Sequence, residues 1–216
     1  NWYLLVDKHE DGALAGLRKS LYLNLLICLL VTSVVITLVS LALRRYQRRI
    51  SALATTDQLT ELPNRHGFNL LAGQAIQEAR RSASPLCALM LDLDNFKQLN
   101  DSHGHLAGDE VLHGFAHKLS SAVRQADIIC RWGGEEFILL LKDTSLEQAR
   151  ELGEKIRLLT EQSRFYYNGT ELRVTTSIGL AQLHADDALE ALIARTDRAL
   201  YRAKQSGRNR LCEEVT

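Results

Sequence analysis

The stretch DIICRWGGEEFILLL, residues 127–141, places two apolar runs on either side of a Gly-Gly pair. Runs of this length and β-branched content suit strands, and adjacent glycines supply the positive φ angles of a tight primed turn. The expectation is therefore strand, two-residue turn at Gly133-Gly134, strand. Directly behind the glycines stand two carboxylates, Glu135 and Glu136, in what is otherwise a buried hairpin. Either they are solvated at a loop end or they belong to a site.

Upstream, PLCALMLDLDNF (85–96) opens as an unbroken apolar run, as a central strand covered on both faces should, and then switches to Asp92 and Asp94. GDEVLHGFAHKLSSAV (108–123) carries Val111, Leu112, Phe115, Leu119 and Val123 at helical spacing. Downstream, Ser145 and Gln148 form a capping box before a helix whose apolar face is Leu146, Ala149, Leu152, Ile156 and Leu159. YYNGTELRVTTSIGLAQL (166–183) suggests a second hairpin turning at Asn168-Gly169. A last amphipathic helix over about 187–205 precedes GRNRLCEEV, an expected edge strand. The element order is α-β-α-β-β-α-β-β-α-β, which makes an α/β (α+β) domain with a central, mostly antiparallel sheet flanked by helices.

The N-terminal quarter differs. Leu21–Leu43 is a 23-residue segment without a charge, long enough for one helix to cross a ~30 Å hydrocarbon core. Arg44, Arg45, Arg48 and Arg49 follow it, against Arg18 and Lys19 before it, so the positive-inside bias puts the C-terminal side in the cytoplasm. The expected domains are a 1–20 tail of an extracytoplasmic sensor region containing WYLLV, a 21–43 transmembrane helix, a 44–56 helical stalk or linker, and a globular domain over 57–216. Tyr46, Ile50, Leu53 and Asp57 share one helical face, as either a dimeric stalk or an ordinary amphipathic connector requires. The chain opens on Asn1 rather than Met, so a fragment lacking its upstream part is expected.

Composition excludes some classes. The 26 basic and 26 acidic residues cancel, which gives no support to a nucleic acid polymer as partner. Cys28, Cys87, Cys130 and Cys212 are widely spaced in apolar segments, with no C-x-x-C pair to suggest zinc or a redox couple. They are expected as isolated reduced thiols.

Asp92 at one strand end and Glu135 and Glu136 past a turn converge if their strands are neighbours. Carboxylates crowded together repel unless a cation is present, and hard oxygen donors with open water positions suit Mg²⁺ on a phosphate substrate. Metal-assisted phosphoryl or nucleotidyl transfer follows as a reading, with solvated loop acids as its rival. Gly133 and Gly134 let backbone amides approach phosphate oxygens, and Lys97, Lys204 and Arg208 offer counter-charge. Asn100 and Asp109 present the donor and acceptor edges that a buried guanine demands, or else act as caps or turn residues.

With these residues in place, about 160 of the 216 residues, from Asp57 onward, resemble the GGDEF family of diguanylate cyclases. DQLTELPNRHGF (57–68), DLDNFKQLNDSHGHLAGDEVL (92–112), RWGGEEF (131–137), TTSIGLA (175–181) and ALYRAKQSGRNR (199–210) are similar to its motifs in the expected order. The resemblance implies condensation of two GTP into cyclic di-GMP and two pyrophosphates, with Mg²⁺, or Mn²⁺ in its place. It implies Asp92, the Leu93 backbone carbonyl, Glu135 and Glu136 as metal ligands. Asn100 and Asp109 would hold guanine, His105 would contact the substrate, and Lys97, Lys204 and Arg208 would hold the triphosphate. Lys97 would also offset transition-state charge, and either Glu135 or the metal's effect on the attacking hydroxyl would serve as base.

The resemblance further implies a homodimer, since each domain binds one GTP, and a signal relayed through the membrane. RQAD (124–127) fits the family's R-x-x-D site, where Arg124 and Asp127 bind the product as inhibitor. The implied location is the bacterial inner membrane, with the catalytic domain in the cytoplasm. Departures are Glu135 for the family's Asp, Trp132 for the frequent Tyr and Glu61 for the frequent Gly. A non-catalytic receptor for cyclic di-GMP or GTP is the alternative, and the intact acids argue against it; a cyclase using adenine is a second, opposed by Asp109.

Overall fold

The computed structural model of the chain describes residues 10–53 and 55–214, and side chains for 18–41 and from 55 onward. WYLLV and the helical seam at Tyr46, Ile50 and Leu53 lie outside these described residues and side chains. Helix α1, Glu10–Leu53, continues unbroken through the borders expected at residues 21 and 43. Its segment Arg18–Leu41 has a mean hydropathy of 2.5 and no buried side chain. At ~1.5 Å per residue these 24 residues reach about 36 Å, enough by length to cross a ~30 Å bilayer core.

Residues from Leu53 onward form a separate compact unit. It comprises α2 (Arg65–Ser82), β1 (Leu86–Leu93), α3 (Phe96–His103), α4 (His105–Ala122), β2 (Ile128–Gly133) and β3 (Glu136–Lys142). Then come α5 (Leu146–Gln162), β4 (Phe165–Tyr167), β5 (Thr170–Leu172), β6 (Thr176–Gln182), α6 (Leu189–Gln205) and β7 (Leu211–Glu213). The main sheet has the order β2-β3-β1-β6-β7, antiparallel except for the β6–β7 pair.

β1 lies at its centre, every residue buried, as its uninterrupted apolar run requires. Its alternation divides the core. Cys87, Leu89, Leu91 and Leu93 join Phe115, Phe137, Ile156 and Leu180 on one face, and Leu86, Ala88 and Met90 join Phe68, Ile76, Ile138 and Leu200 on the other. The buried Cys87 and Cys130 are free thiols whose pKa values burial pushes up to about 12, so they behave as apolar groups.

Three expectations need correction. The β2–β3 turn is centred on Gly134 and Glu135, not on Gly133-Gly134: Gly133 still pairs with Glu136, and a register shift between Arg131 and Gly133 displaces the turn by one residue. Only Gly134 has a positive φ, +48°, so glycine is demanded at one position rather than two. Secondly, an unforeseen short helix, α3, precedes α4, the two being separated by Gly104 at φ +85°. Thirdly, the hairpin expected over 166–183 is three strands rather than two: Asn168-Gly169, with φ values of 49° and 79°, turns a separate ribbon, β4–β5, and β6 enters the main sheet.

Asp57 also changes role. It lies beyond the end of α1 and organises the turn before α2, where its carboxylate accepts from the Thr60 amide (2.9 Å) and hydroxyl (2.7 Å). Glu61 in this turn has φ +59°, a region that glycine adopts freely and other residues do not. An exposed non-glycine residue held left-handed carries strain. Glu61→Gly should therefore stabilise the fold by about 0.5–1 kcal/mol, strain relief exceeding the entropy of the freer unfolded chain. Thermal unfolding checks this, and a lower Tm in the variant would refute it.

Candidate active site

The sheet register builds the site. Asp92, near the end of β1, pairs with Glu136 of β3 on one side and Ser177 of β6 on the other. The Leu93 amide donates to the Glu135 carbonyl at 3.3 Å, which ties the signature turn to the strand end. From the last turn of α6, the Lys204 ammonium reaches Asp92 Oδ2 at 2.7 Å. The turn is held on its other side by Arg131. Its Nη1 donates to both oxygens of Asp57 (3.0 and 3.2 Å), while Nε and Nη2 donate to the Gly134 carbonyl (3.0 and 2.8 Å). Burial disfavours ionisation of Asp57, but hydrogen bonds from Thr60 and Arg131 outweigh it and hold the carboxyl below its usual range. Trp132 packs edge-on against Phe68 with Arg65 over its ring at 4.2 Å, anchoring the strand that leads into the turn.

Burial pushes the Asp92 carboxyl up to about 6; Lys204 pulls it down, and Glu135 and Glu136 push it further up. Glu135 and Glu136 thus act electrostatically on Asp92. Among the described residues, no three of His, Cys, Asp and Glu are drawn close enough to grip one ion. Lys204 supplies the positive charge at Asp92 instead. The donor set of carboxylates plus a strand-end carbonyl has the hard oxygen chemistry of a Mg²⁺ site that leaves positions for substrate and water.

Asp94, two residues on, is 5% exposed and accepts from Thr175 Oγ1 (2.7 Å), Ser177 Oγ (2.6 Å) and the Asn209 amide (3.0 Å). Both of its oxygens are engaged, which leaves Asp92 as the acid of the pair that faces the site.

Asn100 lies within α3 and Asp109 within α4, so neither caps a helix. Asn100 Oδ1 is buried with no protein partner, an arrangement that costs free energy unless a ligand supplies a donor. Gly108 makes room for it, since a Cβ there would stand 2.0 Å from that oxygen. Lys97, His105 and Arg208 are exposed, as are Gly133 and Gly134.

Arg124 and Asp127 lie in the turn before β2, at the opposite end of that strand from the signature turn, about 20 Å away at ~3.3 Å per residue. Asp127 accepts from the amides of Arg124 (3.0 Å) and Lys142 (3.2 Å). Both residues line a surface cavity of about 620 Å³ with Gln74, Glu78 and Lys142.

The family described as "Diguanylate cyclase, GGDEF domain" matches residues 54–210. The chain belongs to the GGDEF family. Diguanylate cyclase DgcP of Pseudomonas aeruginosa is 45% identical over 158 residues, covering 73% of this chain, which spans 24% of that relative's length. The solved GGDEF domain of DgcB from Caulobacter crescentus, in complex with c-di-GMP, superposes with a TM-score of 0.72 at 31% identity, covering 75% of this chain and 94% of that one. The active GGEEF domain of a diguanylate cyclase from Vibrio cholerae gives a TM-score of 0.64 at 36% identity, with coverages of 71% and 97%. Its signature, like that of this GGDEF domain, carries Glu at the third position.

The raised Asp92 pKa has a testable sign. Between about pH 4 and 6 the folded, metal-free chain keeps a proton that the unfolded chain has released, so this group's contribution to stability falls as pH rises through that window. Asp92→Asn should flatten this part of the Tm–pH profile, and Mg²⁺ should raise the wild-type Tm more at pH 7 than at pH 5. Superimposable profiles for the two proteins would contradict the assignment.

Proposed function

We propose that the chain is a Mg²⁺-dependent diguanylate cyclase that condenses two GTP into cyclic di-GMP. The observation that carries this reading is the Lys204 ammonium 2.7 Å from Asp92, at a strand end paired with Glu136 and bonded to the Glu135 backbone. A lysine suited to phosphate and carboxylates suited to a hard cation share one strand end, the pairing that nucleotidyl transfer would use.

Asp92, the Leu93 carbonyl, Glu135 and Glu136 would hold the metal. When bound, Mg²⁺, or Mn²⁺ in its place, supplies Lewis acidity at the α-phosphate and lowers the pKa of the attacking hydroxyl. Asp109 would accept the guanine N–H donors, and a guanine donor would satisfy the buried Asn100 oxygen. His105 would contact the same substrate. The amides of Gly133 and Gly134, with Lys97, Lys204 and Arg208, would hold the triphosphate, and Lys97 would offset the charge that develops on it. The 3′ oxygen of one GTP bonds to the α-phosphorus of the other. The bond to the bridging oxygen breaks, pyrophosphate leaves with its electron pair, and Glu135 is the candidate acceptor of the hydroxyl proton. A second transfer in the opposite sense closes the ring.

Each domain presents one such site, so the reaction needs a homodimer. The span Arg18–Leu41 would anchor it in the inner membrane with the catalytic domain in the cytoplasm, and the helical segment after it would pass on a signal received by an upstream sensor region. The product would bind at Arg124 and Asp127 and inhibit. The 620 Å³ cavity there is in the range of small-molecule sites.

Incubating the full chain with GTP and Mg²⁺ should yield cyclic di-GMP, and Glu135→Ala should lower turnover by at least about a hundredfold, the scale of losing a charge-stabilising group. Binding of cyclic di-GMP without any product from a dimeric preparation would favour the receptor reading. In an active preparation, Arg124→Ala should relieve product inhibition while leaving the initial rate within about twofold, because Arg124 contributes to ground-state binding of product alone. Unchanged inhibition curves would remove the R-x-x-D site.

A further inference from the structure

Gly207, Arg208 and Asn209 have consecutive positive φ values of 111°, 60° and 45°. Glycine adopts this region freely and asparagine tolerates it, but arginine does not, so the loop keeps this shape only if its surroundings impose it. They do so from three directions. The Asn209 amide donates to Asp94 Oδ2 at 3.0 Å, the Asn209 side-chain amide donates to Glu161 Oε1 at 2.7 Å, and Arg157 Nη1 donates to Asn209 Oδ1 at 3.1 Å. The Arg208 amide donates to the Ala203 carbonyl at 3.1 Å, closing the loop onto the end of α6 one residue before Lys204. Asp94 in turn is fixed by Thr175 and Ser177 at the start of β6.

We infer that Asp94 and Asn209 are positioning residues that lock this loop so that Arg208 stands beside Lys204 as part of the triphosphate clamp. The inference rests on the cyclase reading for the ligand, but not for the mechanics of the loop. It gives the second acid of DLD a role other than metal binding, and it makes the left-handed backbone at Arg208 a condition of substrate binding. An ordinary turn into β7 would need none of this, since a glycine at either position would form it without strain.

The test is a double-mutant cycle on the full chain, read by the Kd of a non-hydrolysable GTP analogue with Mg²⁺ and by KM and kcat for GTP. Asn209→Val, β-branched and so excluded from positive φ, should raise Kd and KM by about tenfold with kcat changed less than about threefold, the signature of lost ground-state binding. Asn209→Gly, which keeps the left-handed conformation and the amide bond to Asp94 but loses the side-chain bonds to Glu161 and Arg157, should raise Kd and KM by clearly less than Asn209→Val does. In an Arg208→Ala background, Asn209→Val should add less than about twofold, because residues acting through one another are non-additive. If Asn209→Val does not fold, Asn209→Ala takes its place in the cycle, with a smaller effect in the same direction.

Full additivity with Arg208→Ala, or a glycine variant as impaired as the valine variant, would overturn the proposal. Analogue binding that follows this pattern without cyclic di-GMP formation would keep the loop's role and sink the cyclase reading alone.

Discussion

The site depends on one electrostatic constraint: Asp92 is held near a buried strand end with Glu135 and Glu136 in its field, and the charge is tolerable only with a cation in reach. In the metal-free chain that cation is Lys204. The pair ties the last turn of α6 to the end of β1 and puts a lysine and an acidic centre in the same corner. On the proposed reading, Asp92 would help hold a divalent ion that neutralises it when bound, which would leave Lys204 free for the phosphates. Substrate and metal are then coupled without any large movement of the fold.

Rigidity around this point comes from hydrogen bonds to the backbone of the turn. Arg131 clamps the Gly134 carbonyl from one side and is itself held by Asp57, which Thr60 fixes, while the Leu93 amide holds Glu135 from the other. The turn is therefore anchored both to the segment before α2 and to the central strand. On the far side of β1, Asp94 joins the start of β6 to the loop after α6. The alternation of Asp92, Leu93 and Asp94 thus divides into one acid for the site, one core residue and one acid for the scaffold.

Much of this was legible in the sequence. The apolar run ending in Asp92 announced a central strand with acids at its end, and the Gly-Gly pair announced a turn that brings Glu135 and Glu136 beside it. What was not legible depended on distant partners. Asp57 was assigned to a helical seam because its spacing fits one, whereas its partner Arg131 lies 74 residues away. Asp92 and Asp94 look alike in sequence, and only contacts 81 to 115 residues away show which is satisfied. Helix α3 escaped because eight residues, six of them polar, between a strand and a glycine resemble a loop. The turn was misplaced by one residue because the irregularity beside Trp132 absorbs a position that a regular ladder would have paired.

The most direct test of the exchange at Asp92 is calorimetric titration of Mg²⁺ into the full chain with a non-hydrolysable GTP analogue, for wild type and Asp92→Asn at pH 7. Binding in the wild type should be at least about tenfold tighter, since the variant loses an anionic oxygen ligand. Equal Mg²⁺ affinity in the two proteins would show that the metal does not sit on Asp92 and would contradict the account.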